Sequence, residues 1–305
     1  DLITGFLGSG KTTFIKKYAK YLIDQGENIG ILENDYGAVN VDMMLLKDLE
    51  GENCELEMIA GGCDADCHKR RFRTKLIAMG MCGYDRVIVE PSGIYDVDEF
   101  FDVLRDDPID RWYEIGNVIT VVDAKLEEKL SDEADYLLAS EAANAGCIVL
   151  SRSQEASEKE IENTVSHLNA AMEKVQCKRR FKDEIVVKDW TAFDEADYET
   201  FLSCGYVPEN YRKMHIEEGE TFKSLYFMNL DKTTDEIIEA AKHILEDKEC
   251  GRVFRVKGFL KDEAGEWLEL NATHQEMRIC PIPEGQEVVI VIGEELNEER
   301  IQQYF

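Results

Sequence analysis

Near one end of the chain stands Gly5-Phe6-Leu7-Gly8-Ser9-Gly10-Lys11-Thr12-Thr13, which fits the pattern GxxxxGK[ST]. In such a loop the glycines let consecutive backbone N–H groups turn toward bound phosphates. The lysine reaches the β and γ oxygens, and the hydroxyl residue after it serves Mg²⁺. The pattern carries this meaning only between a strand and a helix. Both flanks are present: residues 2–4 are a short apolar run, and Phe14, Ile15, Tyr18 and Leu22 share one face of a helix that Gly26 stops. Gly5, Gly8, Ser9, Gly10, Lys11, Thr12 and Thr13 are therefore the candidate phosphate-binding residues, with Lys11 also a catalytic candidate and Thr12 a magnesium ligand.

Outward from this loop, short β-branched runs alternate with stretches of helical period. Strands are expected near 2–4, 29–33, 56–59, 86–90, 118–122, 147–150 and 185–187. One intervening helix announces itself by a capping box, Ser157 with Glu160, followed by Ile161, Val165, Leu168, Met172 and Val175 on one face. Nearly all-apolar strands alternating with amphipathic helices imply a parallel sheet covered on both faces. Beyond about 190 the order changes to a polar stretch, then strands near 223–230, 253–260, 267–271, 277–281 and 288–293 with a helix at 234–245 and another at 297–304. The expected architecture is α/β: a P-loop NTPase domain with a mainly parallel sheet over 1–190, a linker region at 191–221, and a smaller α+β domain over 222–305.

Two further segments end apolar strands with acids. Arg86-Val87-Ile88-Val89-Glu90-Pro91-Ser92-Gly93 places Glu90 where it can hold a Mg²⁺-bound water and Gly93 where its N–H can sense a γ-phosphate. Glu33-Asn34-Asp35 adds Asp35 as a second group able to hold magnesium or position water.

Composition narrows the partners. With 35 Lys+Arg against 64 Asp+Glu the formal charge is −29 over 305 residues, which disfavours nucleic acid and anionic membrane surfaces, both of which recruit cations. No apolar run approaches the ~18 residues of a membrane span, and no basic-then-apolar leader is read. Nine cysteines, an odd and scattered set, do not form a disulfide framework. The expectation is a reduced, cytoplasmic protein.

These segments together resemble a known family. The phosphate loop, Glu33-Asn34-Asp35-Tyr36-Gly37-Ala38-Val39-Asn40-Val41-Asp42, Gly61-Gly62-Cys63 and Glu90-Pro91-Ser92-Gly93-Ile94 look like the CobW-type members of the CobW/HypB/UreG group of P-loop GTPases. Arg255-Val256-Lys257-Gly258-Phe259-Leu260 and Val289-Ile290-Val291-Ile292-Gly293 resemble the CobW C-terminal domain, so the likeness covers nearly the whole chain. It implies a nucleotide-dependent metallochaperone, or a maturation factor for metalloenzymes and their cofactors. GTP or GDP, Mg²⁺ and zinc or cobalt are the implied cofactors. A client metalloprotein or cofactor protein is the implied partner, with a nucleotide-dependent homodimer. The alternative is a nucleotide-gated client-binding module, for example for a corrinoid protein, that carries no metal itself.

Three departures from the family matter. Its CxCC metal motif is replaced by Gly61-Gly62-Cys63-Asp64-Ala65-Asp66-Cys67-His68, so candidate transition-metal ligands are Cys63, Cys67, Asp66 and His68 with Glu33. Ala38 stands where many relatives place a carboxylate. The base-reading NKxD is replaced by Ser151-Arg152-Ser153-Gln154. Arg152 can stack on a purine, whereas Gln154 offers one acceptor oxygen beside a donor amide where the family Asp accepts both guanine N1–H and N2–H₂. Ser151, Arg152 and Gln154 are the candidate base-side residues, with purine binding of weakened guanine preference expected, unless the base is read near 187–190. A dense basic run, Lys69, Arg70, Arg71, Arg73 and Lys75, reads either as a solvated helix face or as a docking face for an acidic partner.

Overall fold

The computed structural model describes residues 1–35, 42–60, 65–91, 97–127, 129–213, 222–262, 264–274, 276–283 and 285–305. The side chains of 34, 35, 42, 60, 65, 66, 98 and 99 fall outside that description, as do Cys63 and Gly93 entirely.

The chain divides into two compact units, Asp1–His215 and Ile216–Phe305. The first begins with β1 (Leu2–Thr4), α1 (Lys11–Asp24), β2 (Ile29–Asp35), α2 (Asp42–Leu46), β3 (Cys54–Ala60) and α3 (Ala65–Gly80). It continues through β4 (Arg86–Pro91), α4 (Val97–Leu104), β5 (Val118–Asp123), α5 (Asp132–Ala143), β6 (Cys147–Ser151), α6 (Glu158–Lys174), β7 (Ile185–Val186) and α7 (Glu195–Ser203). Among the described residues the seven strands form one sheet in the order β3-β2-β4-β1-β5-β6-β7, every pairing parallel. The mainly parallel sheet expected from the apolar strands is thus present, and its order places β1, which feeds the phosphate loop, between β4 and β5.

Helix α1 forms on the face read from sequence: Phe14, Ile15, Tyr18 and Leu22 are all fully buried, and Gly26 follows in a left-handed conformation at φ 86°. The capping box of α6 is present in both directions, Glu160 N–H to Ser157 Oγ and Ser157 N–H to the Glu160 carboxylate. In α3, Phe72, Leu76 and Met79 are buried while Arg70 and Arg71 are exposed. The compact unit extends past 190 for a packing reason. Phe201 of α7 is fully buried and meets Phe14 edge to face with ring centroids 5.2 Å apart, so this stretch closes the core of the sheet instead of acting as a free tether.

The second unit contains β8 (Phe222–Met228), α8 (Thr234–Glu246), β9 (Arg252–Lys261), β10 (Trp267–Ala272), β11 (Met277–Ile282), β12 (Val288–Glu294) and α9 (Glu298–Gln302). Its sheet, in the order β11-β10-β9-β12-β8, is antiparallel throughout. Ile237, Ala241 and Ile244 of α8 pack on Val256, Leu270, Val289 and Val291, the α+β arrangement anticipated for this region. No helix among the described residues is long and apolar enough to cross a membrane.

Candidate functional site

The phosphate loop sits at the carboxyl end of β1, in the middle of the sheet. Gly5 (φ 148°), Gly8 (φ 79°) and Gly10 (φ 100°) hold backbone conformations that L side chains rarely adopt. At Gly5 the requirement is also steric, because a Cβ there would lie 2.3 Å from the Val121 carbonyl oxygen. Gly10 caps α1 in a left-handed conformation with no side-chain cap, and the first turn carries no acid. The first N–H groups of α1 are thereby left to an anion, which the helix dipole also favours. Lys11 is buried, and its Nζ donates to the Gly5 carbonyl at 2.8 Å. Ser9 Oγ is buried with no hydrogen-bond partner among the described residues, so the loop holds a donor that a phosphate would satisfy. The residues present fit a bound polyphosphate.

The acidic side of the site lies one strand away. Thr12 Oγ1 donates to Glu90 Oε1 at 3.1 Å, both side chains buried. Glu33 is buried as well and pairs with Glu90 in register across β2 and β4. A threonine hydroxyl and two carboxylates at one end of a parallel sheet form a hard-oxygen environment suited to Mg²⁺, with the Lys11 ammonium close by for phosphate. Asp35 ends β2 next to this group; its side chain, with Gly93, Cys63 and Asp66, lies outside the described residues. Cys67 and His68 both stand in the first turn of α3. Consecutive helical residues point about 100° apart, and here Cys67 is half-buried while His68 is fully buried. Burial first, and then the Arg71 charge, push His68 down to about 4, which keeps the imidazole neutral. Of the basic run, Lys75 pairs with Glu57 at 2.6 Å and Arg73 with Asp106 at 3.7 Å, the behaviour of a solvated face meeting the chain's own acids.

On the other side of the loop, Ser151 ends β6 opposite Asp123 of β5. Arg152 follows at φ 54°, forms an ion pair with Asp123, and directs Nη2 at the Gly8 carbonyl, 3.4 Å away. Asp123 Oδ1 accepts the Lys125 N–H at 2.9 Å. Gln154 is exposed, its amide turned toward Glu155. Trp190 donates from Nε1 to the Leu150 carbonyl at 3.0 Å, and its ring would stand 3.4 Å from a Cβ on Gly10. Sequence reasoning picked out Arg152 and the 187–190 region but missed Asp123, Lys125 and Glu141. Glu141, on α5, is wholly buried. Its Oε2 has no hydrogen-bond partner among the described residues, and burial pushes its carboxyl up to about 8 against the opposing charge of Lys11. An acid closing the β5 strand was available as a signal for Asp123; nothing local marks Glu141.

A family model described as the CobW/HypB/UreG nucleotide-binding domain matches residues 1–182. The zinc chaperone YeiR of Escherichia coli is 30% identical over 139 residues, 45% of this chain and 41% of that protein. The zinc chaperone YjiA of the same organism is 26% identical over 180 residues, 55% of this chain and 54% of that one. The chain thus spans about half the length of these relatives. Among solved structures, Zn(II)-bound YjiA GTPase from E. coli aligns over all of this chain and 96% of that one, at 18% identity and a TM-score of 0.39.

Proposed function

Since the chain belongs to the CobW/HypB/UreG family through its nucleotide-binding domain, we propose that it is a nucleotide-dependent metallochaperone, or a maturation factor for a metalloenzyme, that hydrolyses a purine nucleoside triphosphate. The observation that carries the reading is the hydrogen bond from Thr12 to Glu90 beside the Lys11 cradle. In this reading Lys11 Nζ exchanges the Gly5 carbonyl for β and γ oxygens, and the N–H groups opening α1 receive the remaining charge. Thr12 and Glu90 would hold Mg²⁺, which when bound neutralises charge developing on the phosphates. Asp35 or Glu90 orients the attacking water. Glu33 stands near the end of β2, the strand between β4 on the phosphate side and β3, which leads in sequence to α3, so a change in phosphate state would be felt at Cys63, Asp66, Cys67 and His68, the residues proposed to receive zinc or cobalt.

A second reading, a nucleotide-gated module that grips a client without carrying metal, is favoured by one observation: Cys67 and His68 are adjacent on a helix and differ in burial, so they do not present a joined pair of donors. Both readings include a client protein and a nucleotide-dependent homodimer. The test is metal analysis and nucleotide identification on protein purified without added ligand, together with phosphate release in the wild type and Lys11→Ala. One zinc or cobalt per chain, lost in Cys63→Ala, with phosphate release that depends on Lys11, supports the chaperone. Metal-free protein whose client capture depends on nucleotide supports the module. Absence of Lys11-dependent phosphate release sinks the hydrolase.

A further inference from the structure

The base side of the phosphate loop is built from groups that do not choose sharply between purines. We propose that the Asp123–Arg152 ion pair, set over the Gly8 carbonyl, forms the base-side wall of the nucleotide site and makes that site permissive, taking adenine and guanine nucleotides with affinities within about tenfold of each other. This inference rests on the nucleotide-binding reading above and names the substrate class of that same site.

Guanine presents two adjacent donors, N1–H and N2–H₂, beside the O6 acceptor, and a carboxylate matches the two donors at once. Adenine presents the N1 acceptor next to the N6 amino donor. A site selects guanine strongly when a carboxylate is held ready for that donor pair, because the adenine edge then leaves its oxygens poorly matched. The carboxylate nearest Arg152 is not held ready. One oxygen of Asp123 accepts the Lys125 N–H and the other faces the Arg152 guanidinium. Turning Asp123 toward a base would strip a largely buried guanidinium of its counter-charge, a costly exchange. Glu155 is directed at Lys125, 4.0 Å away, and at the Gln154 amide.

What the wall offers instead suits either base. Arg152 is fixed at three points: a left-handed backbone at φ 54°, the Asp123 carboxylate and the Gly8 carbonyl. A planar guanidinium so fixed stacks on any purine face, an interaction that reads shape and not the hydrogen-bonding edge. Ser151 and Ser153 are 4% and 9% exposed, and their hydroxyls have no hydrogen-bond partner among the described residues. The Ser151 Cβ would stand 3.5 Å from a Cβ on Gly10, so this residue lies against the phosphate loop itself. Hydroxyls rotate to donate or accept. The Gln154 amide can do both from its two ends. Neutral groups of this kind decide between edges by about one net hydrogen bond, roughly a factor of ten or less, against the 10⁴–10⁵ that a site dedicated to one hydrogen-bonding pattern reaches.

The test is a titration of the full chain with fluorescently labelled GDP and ADP in the presence of Mg²⁺. The expected result is dissociation constants within about tenfold for the wild type and, for Gln154→Asp, a preference for GDP raised by at least about thirtyfold, since a new carboxylate at this exposed position supplies the missing acceptor pair. Asp123→Asn and Arg152→Ala should weaken both nucleotides by similar factors. A wild-type preference above about a hundredfold for either base overturns the inference while leaving the nucleotide reading intact. So does a loss confined to GDP in Asp123→Asn, which would make Asp123 a guanine reader. Binding of neither nucleotide, with Lys11→Ala indistinguishable from the wild type, overturns the nucleotide reading and this inference with it.

Discussion

Thr12, the second residue of α1, donates its hydroxyl hydrogen to Glu90 at the end of β4, 3.1 Å away and 78 positions further along the chain. The contact joins the phosphate loop to the neighbouring strand at the carboxyl end of the sheet, where Glu33 and Glu90 stand side by side on β2 and β4. Both members are buried and polar, so their geometry is set by the surrounding sheet and not by surface side-chain freedom.

Removing either partner should therefore act on chemistry more than on folding. Thr12→Ala and Glu90→Gln are expected to lower Mg²⁺-dependent phosphate release by about two orders of magnitude, in line with the loss of one preorganised group at a site of charge development. Thermal unfolding followed by circular dichroism should move by only a few degrees. A variant that keeps full turnover would remove its residue from the magnesium site.

Gly5 makes the converse case, a residue whose loss should cost structure first. An added Cβ would meet the Val121 carbonyl at 2.3 Å in a backbone conformation at φ 148°, and neither the strand nor the loop can yield cheaply. Gly5→Ala should cost roughly 2–4 kcal/mol in urea unfolding and abolish nucleotide binding. An alanine variant of unchanged stability would mean the loop relaxes freely.

Trp190 supplies an internal reporter. Its indole is anchored to the Leu150 carbonyl and stands beside Gly10, whereas Trp112 stands against Gly80 at the close of α3 and Trp267 belongs to the second unit, on β10. Addition of nucleotide should change the intrinsic emission, and Trp190→Phe should remove that change while leaving affinity within about threefold, as expected for an apolar exchange at a packed ring. Persistence of the full change in the variant would place the responding ring elsewhere.

How much of this was legible follows from where each signal resides. The phosphate loop, α1 and the capping box of α6 are local: a glycine pattern and a 3.6-residue apolar repeat occupy consecutive positions, and they fold as read. Helix α5 is the opposite case, since residues from Ala134 to Ala143 are all buried and a helix buried all round has no polar face to mark its period. The sheet order was hidden for a related reason, because parallel strands that are apolar on both faces do not name their neighbours. At the site, Lys11, Thr12 and Glu90 were recognisable one by one, but the Asp123–Arg152 pair spans two strand ends and exists only through the β5–β6 pairing. The polar composition of 191–221 read as a linker, although Phe201 carries enough apolar surface to anchor α7 in the core.

Glu141 gives a pH signature with a definite sign. Its carboxyl is wholly buried behind the loop; burial raises its pKa from the ordinary 4.5 to about 8, and Lys11 opposes the rise. The folded chain therefore keeps this proton up to about pH 8, while the unfolded chain releases it near 4.5. Between those values the folded state binds more protons than the unfolded one, so this residue makes stability fall as pH rises, with no further change above about 8 or below about 4.5. Gln mimics the neutral acid and cannot titrate. Relative to the wild type, Glu141→Gln should be near neutral at pH 4.5 and more stable at pH 8 by a few kcal/mol, with about 5 as the ceiling set by the size of the shift. Urea midpoints of both proteins at the two pH values measure the difference, in which every other titrating group cancels. A difference that does not vary with pH would show that Glu141 titrates in the folded protein as it does in the unfolded chain, with the Lys11 charge offsetting its burial.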